Sequence, residues 1–190
     1  MKHITLTLLV AAAFAACAQA DTVALTLLPS SGVVGGEPGA VVGWGFTITD
    51  TSSSDWIVLA DSTFTGSPIY GSYMDYLATG PQYVAGPAPE SSTISQSWDA
   101  STQLGLGEFD INATAPVGAN IPGTINVDYD VFSQDPNDPN FDPDSFVTSG
   151  TVSASADVQV TPEPAPLLTM SSVLVLLACA GWRRRKVLQS

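Results

Sequence analysis

Between Asp21 and Glu163 the chain has no lysine, no arginine, no histidine and no cysteine. Each absence removes a chemistry. Without histidine or cysteine there is no serine or cysteine triad of the usual kind, and no zinc or haem ligand set. Without lysine or arginine there is neither a phosphate clamp nor a Schiff-base amine. Gly35-Gly36 and Gly105-x-Gly107 therefore read as turn glycines, because a phosphate loop needs a lysine and a strand-to-helix setting. No disulfide can form in this stretch, so its stability comes from its core or from bound ions. All 18 aspartates and glutamates of the chain lie there. An uncompensated acidic surface repels phosphate backbones, which excludes nucleic acid as a partner.

Charged residues make up only 12% of the 190-residue chain, about half the usual share. The body is nevertheless rich in Val, Ile, Trp, Tyr and Phe, which argues for a folded unit over a disordered acidic one. The length suits one domain with a real core. The five basic residues stand at the ends: Lys2, then Arg183, Arg184, Arg185 and Lys186.

Residues 1–20 have the layout of a secretory signal peptide. Met1-Lys2-His3 is a basic start, Ile4 to Ala16 is apolar, and Ala18-Gln19-Ala20 is a small-x-small cleavage site before Asp21. The apolar stretch is too short for a retained span. Phe14-Ala15-Ala16-Cys17 is only a loose lipobox, with Phe where Leu is usual. Cleavage after Ala20 discards Cys17 and the one histidine, His3.

Residues 21–160 read as strands punctuated by Gly, Pro, Ser and Asp. Val23, Leu25 and Leu27 alternate with polar or small residues, as do Val42, Trp44, Phe46 and Ile48. Ile125, Val127, Tyr129 and Val131 oppose Asn126, Asp128 and Asp130. Val152, Ala154, Ala156, Val158 and Val160 follow the same period of two, while Trp56 to Leu59 is a continuous apolar run. Seven or eight such segments predict an all-β fold, a single antiparallel β-sandwich, with a short helix or an irregular loop between Tyr70 and Tyr83. Ala115-Pro-Val-Gly-Ala-Asn-Ile-Pro-Gly-Thr124, leading into a strand, resembles the turn before a late strand in bacterial immunoglobulin-like domains.

The chemistry left open is that of carboxylates. Asp50-Thr51-Ser52 and Asp61-Ser62-Thr63 fall short of the aspartic protease signature. Asp99, Glu108 and Asp110 could supply a glycosidase pair only if two of them faced each other across a cleft. Asp135, Asn137, Asp138, Asn140, Asp142 and Asp144 form the densest group of oxygen donors, a weak calcium candidate without an Asp-x-Asp-x-Asp-Gly core or a closing Glu. The plainer expectation is a solvated hairpin loop. Trp44, Trp56 and Trp98, with Tyr70, Tyr73, Tyr76 and Tyr83, could stack on sugars. Trp44 and Trp56 suit a core better, and Tyr70 to Tyr83 suits an exposed patch.

Residues 161–190 end the chain with Pro162-Glu163-Pro164, an apolar stretch over 166–182, and the basic cluster Arg183-Arg184-Arg185-Lys186. As a helix the stretch would measure about 26 Å, just short of a hydrocarbon core. The cluster would stay cytoplasmic and stop transfer. A glycosylphosphatidylinositol signal would not end in such a cluster, and the Leu-Pro-x-Thr-Gly of sortase substrates is absent. The order of motif, span and basic cluster resembles the PEP-CTERM sorting domain, with Ala165-Pro166 where Ser-Thr is common and an extended tail. That resemblance implies a Gram-negative bacterium, an inner-membrane-anchored precursor, processing near Pro162-Glu163-Pro164 by an exosortase-type enzyme, and delivery to the cell surface or an exopolysaccharide matrix. Signal peptidase would act at the other end. The expectation is an exported structural or adhesive protein, not an enzyme, that needs no cofactor. A carbohydrate- or calcium-binding surface module is the alternative, with a secreted glycosidase behind it.

Overall fold

The computed structural model describes residues 23–89 and 92–163. Ten strands follow in order: β1 (Val23–Leu28), β2 (Val33–Gly36), β3 (Val41–Asp50), β4 (Trp56–Gly66), β5 (Gly71–Asp75), β6 (Val84–Ala85), β7 (Thr93–Gln96), β8 (Gly107–Ile111), β9 (Asn120–Phe132) and β10 (Phe146–Val160). They form two five-stranded sheets. One has the order β1-β3-β8-β5, with β7 beside the second half of β3; the other has the order β2-β10-β9-β4-β6. No helix among the described residues is long and apolar enough to cross a membrane. The expected signal peptide with Ala18 and Ala20, the span 166–182, Pro164 and the basic cluster lie outside the described residues.

The period of two decides which side chains meet between the sheets. Val42, Trp44, Phe46 and Ile48 of β3 and Phe109 and Ile111 of β8 face Ile57, Leu59, Ile121, Ile125, Val127, Val131 and Val158 of the other sheet in one buried cluster. Each fully buried side chain of this size contributes about 1.5–3 kcal/mol. On the opposite face of β3 the alternation puts Gly43 and Gly45; the indole of Trp98 lies over Gly43, and the backbone of Gln96 to Trp98 lies over Gly45. A Cβ at Gly43 would stand 2.2 Å from Trp98 Nε1. Glycine in mid-strand is here the condition for that close approach.

The expectation of a purely antiparallel sandwich is corrected at β2, which pairs in parallel with the end of β10. After β1 the chain turns at 29–32, with Gly32 N donating to Pro29 O at 2.8 Å, and crosses to the other sheet. The carbonyl of Gly32 then accepts from Asp157 N at 3.0 Å and from Trp44 Nε1 at 2.8 Å. A single backbone oxygen thus links the crossing, the last strand and the central core residue. The stretch from Tyr70 to Tyr83 is also corrected: Gly71–Asp75 is a strand paired with β8, preceded by a 3-10 turn at Pro68–Tyr70.

Candidate functional site

The site grows from one irregularity. Between Leu59 and Asp61 the pairing of β4 with β9 shifts by a residue, so that Leu59 opposes Tyr129 and Asp61 opposes Asp128. Without this bulge the alternation that buries Ile57 and Leu59 would carry Asp61 inward. The extra residue, Ala60, sends Asp61 to the outer face and turns Ser62 into the core instead. Ser62 is only 2% exposed.

On the outer face, Asp61, Asp128 and Asp130 line an open concavity of about 370 Å3 with Ser149 and Thr151. The Thr151 hydroxyl donates to Asp128 Oδ1. Partial burial raises the Asp61 carboxyl above its ordinary range, and the charges of Asp128 and then Asp75 raise it further. No cationic side chain exists in the body to offset these charges.

Inside, Ser62 Oγ lies 2.8 Å from Tyr73 Oη, 2.5 Å from Asp75 Oδ1 and 2.8 Å from Leu106 O. A hydroxyl has one proton, and Leu106 O already accepts from Tyr76 N at 3.0 Å. The Ser62 proton therefore serves the Asp75 carboxylate, and the Tyr73 hydroxyl donates to Ser62. Asp75 accepts in addition from Leu77 N at 2.9 Å and Ala78 N at 3.1 Å. Three neutral donors thus do for Asp75 what a cation does elsewhere. Burial holds the Tyr73 phenol well above its ordinary range, with Asp75 adding to the effect. Tyr76 is pushed up in the same way, first by burial and then by its bond to Glu108.

A stability test follows from the raised Asp61. The folded protein holds this proton more tightly than the unfolded chain, so ionisation works against folding. The cost is absent below the ordinary aspartate pKa and complete above the raised one. Asp61→Asn is expected to raise the melting temperature by about 1–3 °C at neutral pH. The gain should fade towards about pH 3, where both states are protonated. An equal gain at both pH values, read by calorimetry, would remove electrostatics as the cause.

Other sequence candidates are dispersed. Glu108 and Asp110 stand two residues apart on β8 and so point to the same outer face, not towards each other. Asp99 Oδ1 is engaged by Ser101 N at 2.9 Å and Ser101 Oγ at 2.7 Å, hydrogen bonds that hold its carboxyl below the ordinary range. The 135–144 segment is the expected hairpin loop between β9 and β10. Asp135 accepts from Asn137 N, Asp138 from Asn140 N and Asp142 from Asp144 N, at 2.8, 2.8 and 3.0 Å. Each carboxylate closes its own local turn. Among the described residues no group of three or more His, Cys, Asp or Glu side chains is placed to hold a metal ion.

The expected tyrosine patch is corrected as well. Tyr76 is 2% exposed, and Tyr70, Tyr73 and Tyr83 pack against the core cluster. Trp44 is buried as expected, while Trp56 is half-buried over Gly86. Sequence reasoning missed Asp75, Asp128 and Asp130 as partners of Asp61, because nothing in the alternation marks a bulge. Pro162 and Glu163 are exposed immediately after β10.

No protein-family model matches the chain, and no curated protein matches it. Among solved structures it is similar to AggA, the major subunit of aggregative adherence fimbriae type I from Escherichia coli, at 10% identity and a TM-score of 0.32, covering 75% of this chain and 96% of that one. It is also similar to AvmM, which catalyses macrocyclization in alchivemycin A biosynthesis, at 10% identity and a TM-score of 0.25, covering 77% and 93%. At these scores neither likeness assigns a function; the chain is an all-β protein of two packed sheets.

Proposed function

We propose that this protein is an exported structural or adhesive component of a bacterial cell surface or extracellular matrix, an immunoglobulin-like sandwich delivered by its carboxyl-terminal sorting segment. The observation that carries the reading is the placement of the motif. Among the described residues, the last backbone hydrogen bond tying the end of the chain to the sandwich is Thr161 N to Gly36 O, at 2.8 Å. Pro162 and Glu163 follow it at once, exposed. A processing enzyme at the membrane can thus reach Pro162-Glu163-Pro164 without unfolding the body. Pro162 fixes its own φ and biases Thr161 towards extended backbone, which suits such an approach.

In this reading a signal peptidase cuts after Ala20 and the 166–182 span holds the precursor in the inner membrane. Arg183, Arg184, Arg185 and Lys186 fix its orientation, and an exosortase-type enzyme releases the body towards the exopolysaccharide. Positive charge is then confined to the discarded ends, and the mature protein is wholly acidic. Mass spectrometry of the protein from cells and medium tests this. The surface form should begin at Asp21 and end near the motif. A surface form with an intact carboxyl terminus at Ser190 would defeat the reading.

The acidic concavity supports a second reading, a carbohydrate-binding surface module. Asp61, Asp128 and Asp130, beside the hydroxyls of Ser149 and Thr151, can accept hydrogen bonds from sugar hydroxyls. Retention on a glycan array that is lost in Asp128→Asn would favour it.

A further inference from the structure

We propose that Asn112 is an acceptor for N-linked glycan, taking an oligosaccharide from a lipid-linked diphosphate donor outside the cytoplasm. The inference rests on the exported reading, because only an exported body meets such a donor. Of the five asparagines in the chain, Asn112 alone has a hydroxyl residue two positions on, in Asn112-Ala113-Thr114. Asn120, Asn126, Asn137 and Asn140 have Pro122, Asp128, Pro139 and Asp142 there. A transfer enzyme of this class holds the hydroxyl to align the amide, so the spacing is a chemical requirement.

The fold presents this motif to solvent. β8 ends at Ile111 and the chain turns at once, with Ala115 N donating to Asn112 O at 2.9 Å. Burial of Ile111 and Ala115 anchors the turn, while Asn112, Ala113 and Thr114 between them are exposed. Asn112 N donates to Tyr70 O at 2.8 Å, which fixes the backbone at the acceptor. The side-chain contact is by contrast long, from Nδ2 to Ile69 O at 3.4 Å. In mid-strand the amide of Asn126 is tied more closely, to Thr65 Oγ1 at 3.0 Å. Ile69 is 70% exposed and offers the first sugar ring an apolar surface. Asp110, exposed two residues ahead of the acceptor, gives a cationic enzyme surface a charge to meet.

In the transfer, Nδ2 of Asn112 bonds to the anomeric carbon of the donor sugar as the bond from that carbon to the diphosphate oxygen breaks. The oxygen leaves with the electron pair, and one amide proton of Asn112 passes to it by way of an enzyme carboxylate. Nothing is oxidised or reduced. The product keeps one N–H on Nδ2, so the contact with Ile69 O survives the modification.

The test is mass spectrometry of the protein recovered from its host. The body has no lysine or arginine for trypsin, so it is digested on the amino side of aspartate. The resulting fragment 110–127 is expected to carry a whole number of sugar residues, localised to Asn112 by fragmentation. Asn112→Gln and Thr114→Ala should each abolish the added mass, and Thr114→Ser should keep it. Both positions are exposed, so the circular dichroism spectrum should be unchanged in all three variants. A body that begins at Asp21 with an unmodified 110–127 fragment overturns the proposal and leaves the exported reading standing. An unmodified chain that retains residues 1–20 overturns both. Sugar mass that survives Asn112→Gln assigns the modification to a hydroxyl and likewise overturns the proposal.

Discussion

Trp44→Ala is expected to destabilise the protein by about 3–5 kcal/mol, a fall of some 10 °C or more in melting temperature. Trp44 is fully buried, and its ring stacks on Phe64 at 5.8 Å between centroids and 17° between planes. Phe64 in turn meets Phe109 edge-on at 5.4 Å, and Tyr73 lies 6.3 Å from Trp44. Truncation would open a cavity at the junction of β3, β4, β5 and β8 and take away the packing under the Ser62–Tyr73–Asp75 network. Trp44→Phe separates packing from hydrogen bonding. It keeps a ring against Phe64 and loses only the donor to Gly32 O, which still accepts from Asp157 N. The carbonyl is not orphaned, so this variant should cost only about 1–2 kcal/mol. Chemical denaturation of both variants reads the difference. Equal losses would mean that the hydrogen bond, not the ring stack, holds the junction.

Gly32→Ala is the second large effect, at about 2–4 kcal/mol. Gly32 has a φ of +70°, and a Cβ there would lie 2.2 Å from the backbone oxygen of Ser155. The left-handed conformation alone costs an L residue about 1–2 kcal/mol. The contact cannot be relieved by a side-chain rotation, since the obstacle is backbone, so β10 or the turn must move. Either movement loosens the Gly32 carbonyl from Asp157 and Trp44 together. Gly32→Ala and Trp44→Phe should therefore be non-additive, the double variant losing less than the sum. A loss below about 1 kcal/mol for Gly32→Ala, or strict additivity, would show that the crossing from β1 to β2 is not a stabilising junction.

The two junctions bear on the candidate site because that site sits on the bulge of β4. Its carboxylates have no cationic partner among the described residues, and the fold manages them by position. Asp75 is turned to hydroxyl and amide donors, while Asp61 and Asp128 are kept on the wet face. A fold that loosened at Trp44 or Gly32 would lose the placement before it lost its strands.

Much of the fold was legible in the sequence. The alternations at Val23–Leu27, Val42–Ile48, Ile125–Val131 and Val152–Val160 coincide with β1, β3, β9 and β10, and their apolar members lie towards the core. Side-chain period is a local property of an extended chain, so it can be read locally. The weak stretch from Tyr70 to Tyr83 was not legible. β5 is only five residues long, and its glycine and methionine fall outside a clear alternation. The site was less legible still. Asp61 looked like part of a failed protease signature, and Asp128 and Asp130 like ordinary outward residues.

By itself, then, the sequence determined the all-β class, the partition of positive charge to the two ends, and the chemistries that an acidic body without His, Cys, Lys or Arg cannot perform. Composition and period carry these, and neither depends on what meets what. Only the tertiary structure decided that β2 crosses to pair in parallel with β10, and that Tyr76 is buried. It alone showed that a one-residue shift at Ala60 puts Ser62 inside and gathers Asp61, Asp75 and Asp128 from three strands. The physical reason is that a bulge and a crossing are settled by backbone hydrogen bonds and packing between distant segments, which leave no mark on the local alternation of side chains.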